Sequence, residues 1–144
     1  MITRPKPTER GSVVLLATVL TLILATLLAV TIDIAAVAWH QRQLTALTDA
    51  AALAGAQGLD ERALYLQGAT EVIPLDPAQV LALTNNYLIA ADASSRLEDF
   101  SFRVDAENNS VVISTTATFL PPLRGAFTGP VTLLASALAT TPIY

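Results

Sequence analysis

The sequence predicts an α+β protein: a long N-terminal helix that crosses a membrane and continues beyond it, then short helices and a small antiparallel sheet of about three strands. Three observations carry that expectation. Twenty consecutive residues, Val13 to Ile32, hold no charge, and only Thr18, Thr21, Thr26 and Thr31 among them carry a polar group. No proline or glycine interrupts the chain between Ser12 and Ala54. After Ser94-Ser95 the apolar period changes from 3.6 to 2. Composition agrees: of 144 residues 53% are hydrophobic and only 14% charged, where about 25% charged is usual in a soluble domain.

Residues 1–11, with Pro5, Pro7 and several charges, read as a short basic tail on the cytoplasmic side. Residues 12–33 form the membrane span, because about twenty helical residues cover roughly 30 Å, the hydrocarbon thickness of a bilayer. Residues 1–12 carry three basic side chains, Arg10 among them, against one acidic. Residues 33–144 carry five basic and eleven acidic ones. Lys and Arg stay cytoplasmic during insertion, so the N-terminus is placed inside and everything after the span outside. Asp33 sits at the far edge, where a carboxylate reaches interfacial water, and Trp39 marks the headgroup level. A cleaved secretory signal is the alternative. Its apolar core is shorter, about 7–15 residues, whereas here helix-forming sequence continues through Ala35-Ala36-Val37-Ala38, which favours a retained anchor.

Residues 34–58 extend the same helix out of the membrane. An apolar stripe follows helical spacing through Ile34, Val37, Leu44, Leu47, Ala51 and Ala54. The block from Ala50 to Ala56 is small on every face, which suits close approach of another backbone; alanine's helix propensity alone also accounts for the helix. Leu44, Ala51, Ala52, Ala54 and Gly55 are therefore candidates for packing against a partner. Arg42 and Asp49 join them: seven residues apart, they lie about 20° apart on one face, too distant for an i,i+4 pair. They either meet another element or subunit or stay on a wet face. Gly58 supplies a stop.

Residues 59–144 form the extracytoplasmic α/β domain. Asp60 caps a helix to about Val72, ended by Pro74. Asp76-Pro77-Ala78-Gln79 starts another, with proline at the first position and Gln79 placed for a capping-box-like pair. It runs to about Ala91, with Val80, Leu83, Tyr87 and Ala90 inward. Phe100, Phe102 and Val104 alternate with polar residues. The stretch from Ala106 to Ser110 is a longer hairpin loop, and Val111, Ile113, Thr115, Ala117 and Phe119 form the second strand. Pro121-Pro122 and Gly125 to Pro130 connect to a third from about Val131 to Thr140. The result is an antiparallel meander with one face on helices.

Little chemistry is visible. The acidic body repels phosphate backbones and no basic patch interleaved with aromatics occurs, so no nucleic-acid partner is expected. Without cysteine and with His40 as the one histidine, a metal centre lacks ligands and a general base lacks a partner. Asp60-Glu61 and Glu98-Asp99 fall at element boundaries, where capping and solvation account for them. No phosphate loop, HExxH or GxSxG occurs. No catalytic residue, cofactor or small-molecule substrate is expected.

Arg10-Gly11 before the span, Asp33 at its end, then Arg42-Gln43-Leu44 and Asp49-Ala50-Ala51-Ala52-Leu53-Ala54 make the pattern D-x8-R-x-L-x4-D-A-A-A-L-A. In this the region 10–56 resembles the N-terminal region of TadG-like (Tad-domain) proteins, components of the tight-adherence, Flp-type pilus assembly system of bacteria. The resemblance implies a single-pass inner-membrane protein with a pilin-like periplasmic domain, a structural component that packs through its N-terminal helix against other pilus-assembly or pilin-like subunits and the lipid bilayer. It also implies an alternative, a processed minor pilin cut between Gly11 and Ser12. Type IV pilins place a glutamate five residues after such a cut; here that residue is Leu16, which argues against a major pilin. A membrane-tethered periplasmic binding or enzyme domain is the remaining alternative. Ala35 to Ala38 stand where the family commonly has an aromatic and a basic residue, and the chain is too short for the additional domain of longer members.

Overall fold

In a computed structural model of the chain, residues 9–58, 75–107, 109–123 and 129–140 are described. The first element, α1, is a single helix Glu9–Gly55 of 47 residues, about 70 Å long. Its threonines fit an apolar surrounding because each hydroxyl donates to the carbonyl four residues back: Thr18 to Val14, Thr21 to Ala17, Thr26 to Leu22 and Thr31 to Leu27, all at 2.8–2.9 Å. The helix stops at Gly55, short of the stop expected at Gly58. A tight turn follows, with the Gly58 amide donating to the Gly55 carbonyl at 2.9 Å. Gly58 does more than end the helix, since its own carbonyl accepts from the Asp76 amide at 3.1 Å and ties the start of the next described helix to the top of α1.

That helix, α2, spans Pro77–Ala90. The Asp76 carboxylate accepts from the Ala78 amide at 2.9 Å and Pro77 takes the first turn; no reciprocal bond from Gln79 is seen among the described residues. The buried face is Val80, Thr84 and Leu88, while Leu83 and Tyr87 are half-buried and Ala90 is exposed. The face is therefore turned from the expected one. Gly55 lets α2 approach so closely that Val80 and Thr84 touch it, and the larger Leu83 and Tyr87 are left to flank the contact. A one-turn helix α3, Ala93–Arg96, follows after Asp92, whose φ of 55° sharply redirects the chain. The helix expected over 60–72 lies outside the described residues.

The sheet is an antiparallel meander in the order β1-β2-β3, with β1 Glu98–Glu107, β2 Ser110–Phe119 and β3 Val131–Thr140. Glu107 pairs directly with Ser110, so Ala106 and Glu107 belong to the strand and the hairpin is tighter than the sequence suggests. A register irregularity between Glu98 and Ser101 surrounds Asp99, whose φ is 49°; the acidic pair expected merely to cap thus sits at a β-bulge. One sheet face is inward, with Phe100, Phe102 and Val104 half-buried on β1, Val111, Ile113, Thr115 and Ala117 buried on β2, and Leu133, Ala137 and Ala139 buried on β3. The outer face is mainly polar, as in a sheet covered on one side.

The distal half of α1 crosses the inner face, and α2 and α3 complete the cover. Small side chains decide how close α1 comes: Ala51 and Ala52 share a core with Val80, Val111, Ala137 and Ala139. Nearer the apolar half of α1, Leu44 shares a second core with Leu97, Ala117 and Leu133. Strand directions follow from these neighbours. Val111 lies beside Gly55 at the far end of α1, and Phe119 beside His40. So β2 descends toward the apolar half of α1, β3 ascends, and the β1–β2 hairpin is the distal tip.

Candidate interaction surfaces of the long helix

From Gly11 to Leu28 every residue of α1 is exposed. Leu15, Leu24 and Leu28 stand at 70%, 66% and 62%, far beyond what water tolerates in so long a contiguous patch. This stretch meets the length and hydropathy of a membrane span, and none of it is buried inside the protein, so it is not the core helix of a globular fold. The flank residue Gly11 has open space around its Cα.

Above the apolar stretch the helix becomes asymmetric. Asp33 is 2% exposed, contrary to the expectation of a carboxylate in interfacial water. Its Oδ1 accepts from the Leu123 amide at 2.9 Å, across ninety residues of sequence. The carboxylate thus binds the β2–β3 connection, where Pro121 is also buried. Ile34, expected inward, is exposed at 62%; the helix face that meets the head runs through Asp33, Val37, Leu44 and Thr48 instead. Trp39 is exposed. His40 stacks on Phe119 with ring centroids 3.9 Å apart. Its Nδ1 is 2.9 Å from the Ala36 carbonyl; a carbonyl only accepts, so Nδ1 carries the proton. That histidine is a packing element between helix and sheet, and no acid bonds it among the described residues.

The candidates for partner packing divide. Leu44, Ala51, Ala52 and Gly55 are buried inside the chain's own head, and Ala54 is half-buried. The small surface they were expected to offer to another molecule is occupied by α2 and the sheet. A Cβ on Gly55 would lie 2.7 Å from Thr84 Oγ1, which explains the absence of larger side chains there. Arg42, Asp49 and Leu53 remain exposed, and neither charge pairs with another described residue.

Two residues that hold helix and head together escaped the sequence reading. The Gln41 side-chain amide donates to the Leu134 carbonyl on β3 at 2.7 Å, and Thr48 meets Thr115 in a buried hydroxyl pair. Neither carries an apolar or motif signal; only Thr48's place at i+4 from Leu44 could have hinted at it. A groove of about 610 Å³ lies between α1 and α2, lined by Gln43, Leu47, Tyr87 and Arg96 among others. It holds no converging set of acid, base and nucleophile. No cluster of three or more metal-ligating side chains occurs among the described residues.

Residues 11–58 match the family described as "Putative Flp pilus-assembly TadE/G-like". The matched segment is α1 from the start of its exposed apolar stretch to the Gly58 joint, the stretch that carries the D-x8-R-x-L-x4-D-A-A-A-L-A pattern. No curated protein and no solved structure matches the chain.

Proposed function

We propose that this chain is a membrane-anchored, non-enzymatic structural component of a Tad/Flp-type pilus assembly apparatus. The apolar half of α1 spans the bacterial inner membrane with the basic tail in the cytoplasm, and the head stands in the periplasm. The observation that carries the reading is that one unbroken helix is exposed and apolar from Gly11 to Leu28, is covered on one face by its own head beyond that, and matches the TadE/G-like family from residue 11 to residue 58. Other pilus-assembly or pilin-like subunits then dock on the part of α1 the head leaves uncovered, where Arg42, Asp49 and Leu53 are exposed. Inside lipid such association depends on close packing rather than on the hydrophobic effect.

Charge reversal at Arg42 and Asp49 together with Leu53→Glu tests the docking surface without touching the core. Crosslinks to partner subunits and piliation are expected to fall while the head stays folded. Unchanged assembly by the triple variant counts against this face as the docking surface. A reporter fused after residue 144 is expected to be active only outside the cytoplasm; activity in the cytosol overturns the orientation. The rival reading as a processed minor pilin is decided by mass spectrometry of the mature N-terminus: a chain beginning at Ser12 favours it, and an intact N-terminal tail favours the permanent anchor.

A further inference from the structure

We infer that the segment Leu120–Leu123 after β2 is a second membrane contact, with Leu123 seated in the outer headgroup layer of the bilayer that α1 spans and Leu120 above it. This rests on the reading of α1 as a membrane helix. The geometry places the segment by two contacts with α1. Phe119 stacks on His40 at 3.9 Å, and the Leu123 amide bonds Asp33 Oδ1 at 2.9 Å. His40 and Asp33 are seven helical residues apart, about 10 Å along the axis. Between Phe119 and Leu123 the chain therefore descends α1 toward the apolar stretch. On the return, the Leu134 carbonyl accepts from Gln41, so β3 climbs away again. Pro121 to Leu123 lie at the membrane-proximal end of the described head.

The segment's side chains match that place. Pro121 is buried against the helix, yet Leu120 is 53% and Leu123 48% exposed. The uncharged stretch from Val13 to Ile32 is about 30 Å long, the hydrocarbon thickness, and the headgroup layer adds roughly 5–7 Å on each side. With the hydrocarbon ending near Ile32, Leu123 stands at its boundary, one residue level above. Trp39, exposed at 62%, lies about 9 Å above Asp33 and about 120° round the helix, beyond that layer, so its backbone does not mark the level of Leu123. Leu123 thus stands one residue level beyond an apolar stretch whose own side chains are exposed, which selects lipid as its occupant over a soluble partner. A head held only by a helix exit is free to tilt; two points of contact hold the uncovered face of α1 at one angle to the membrane, where a partner anchored in the same bilayer meets it.

The chain has no cysteine, so single Leu120→Cys, Leu123→Cys, Glu107→Cys and Leu24→Cys variants each carry one environment-sensitive fluorophore. Each full-length protein is reconstituted in phosphatidylethanolamine–phosphatidylglycerol vesicles, with and without lipid bearing a nitroxide near the headgroup. The label at Leu123 is expected to shift to the blue and to be quenched by the nitroxide several-fold more than the label at Glu107, on the distal tip, with the label at Leu120 in between. Two outcomes overturn the inference while Leu24 remains in lipid: emission at Leu123 as aqueous as at Glu107, or a blue shift at Leu123 without quenching, which signals burial against another subunit. An aqueous label at Leu24 overturns the membrane reading of α1 itself.

Discussion

Two buried threonines offer a sharp test of how the head is locked onto α1. Thr48 on the helix is 0% exposed and Thr115 on the central strand 1%. Thr48 Oγ1 lies 2.7 Å from the Leu44 carbonyl, and the two hydroxyls lie within bonding distance of each other. Each hydroxyl has one proton. The carbonyl cannot donate, so Thr48 gives its proton to Leu44, and Thr115 must then donate to Thr48. The pair is directional, and substitution is accordingly asymmetric. Thr48→Val strands the Thr115 hydroxyl in a dry core with no acceptor, at a cost of about 1–3 kcal/mol. Thr115→Val leaves Thr48 still bonded to Leu44 and loses one net hydrogen bond, about 0.5–1.5 kcal/mol. The double valine removes both hydroxyls at nearly constant shape and is expected to cost less than Thr48→Val alone, with a coupling of about 1 kcal/mol or more. Thermal unfolding of the full chain in detergent, followed by near-ultraviolet circular dichroism, reads this directly, since about 1 kcal/mol moves the midpoint by roughly 4–8 °C in a domain this small. Equal losses in the two single variants, or a double variant whose loss is their sum, would refute the directional bond.

The joint between α1 and α2 gives two further expectations. Gly58→Ala is expected to destabilise more than Gly55→Ala, measured by the same melts: the new Cβ at Gly58 meets backbone at 2.8 Å and 3.1 Å, from Val80 and Gln79, whereas at Gly55 the closest atom is the rotatable Thr84 hydroxyl at 2.7 Å. Overpacking costs about 1–3 kcal/mol, and at Gly55 the gain of up to about 1 kcal/mol in helix propensity offsets part of it; a more stable Gly58→Ala protein contradicts the close approach. Thr84 Oγ1 is buried without a hydrogen-bond partner among the described residues, so Thr84→Val is expected to raise the midpoint, by the equivalent of about 1 kcal/mol, and a lowered midpoint indicates a partner for that hydroxyl.

Local pattern was strong wherever one surrounding dominates an element. The β3 limits, the alternation on β2 and the capped start at Asp76 all follow from nearest-neighbour chemistry and are found at the expected residues. The reading went astray where two elements compete for one face. Hydrophobicity alone put Ile34 in the apolar stripe and passed over Thr48, because it does not register that a threonine can bond its own helix and a strand at once. It turned α2 toward Leu83 and Tyr87, because the glycine that draws Val80 and Thr84 inward belongs to another helix. The alanine block was correctly recognised as permitting close approach, but nothing local says which backbone approaches.

The chain's own order of residues determined the rod and the contrast between its two halves: an uncharged run of bilayer length, unbroken by proline or glycine, is helical because its backbone groups find their partners within the helix. It also determined the meander, through alternation and turns. Tertiary structure alone decided what each face of the rod touches. Asp33 turned from a water-facing boundary into an anchor for a loop ninety residues away, and the alanines from a docking surface into the seat of the molecule's own head. Helical spacing specifies that a face is small or acidic, but its occupant is set by long-range packing, in which the first backbone able to approach an alanine-lined surface belongs to the same chain.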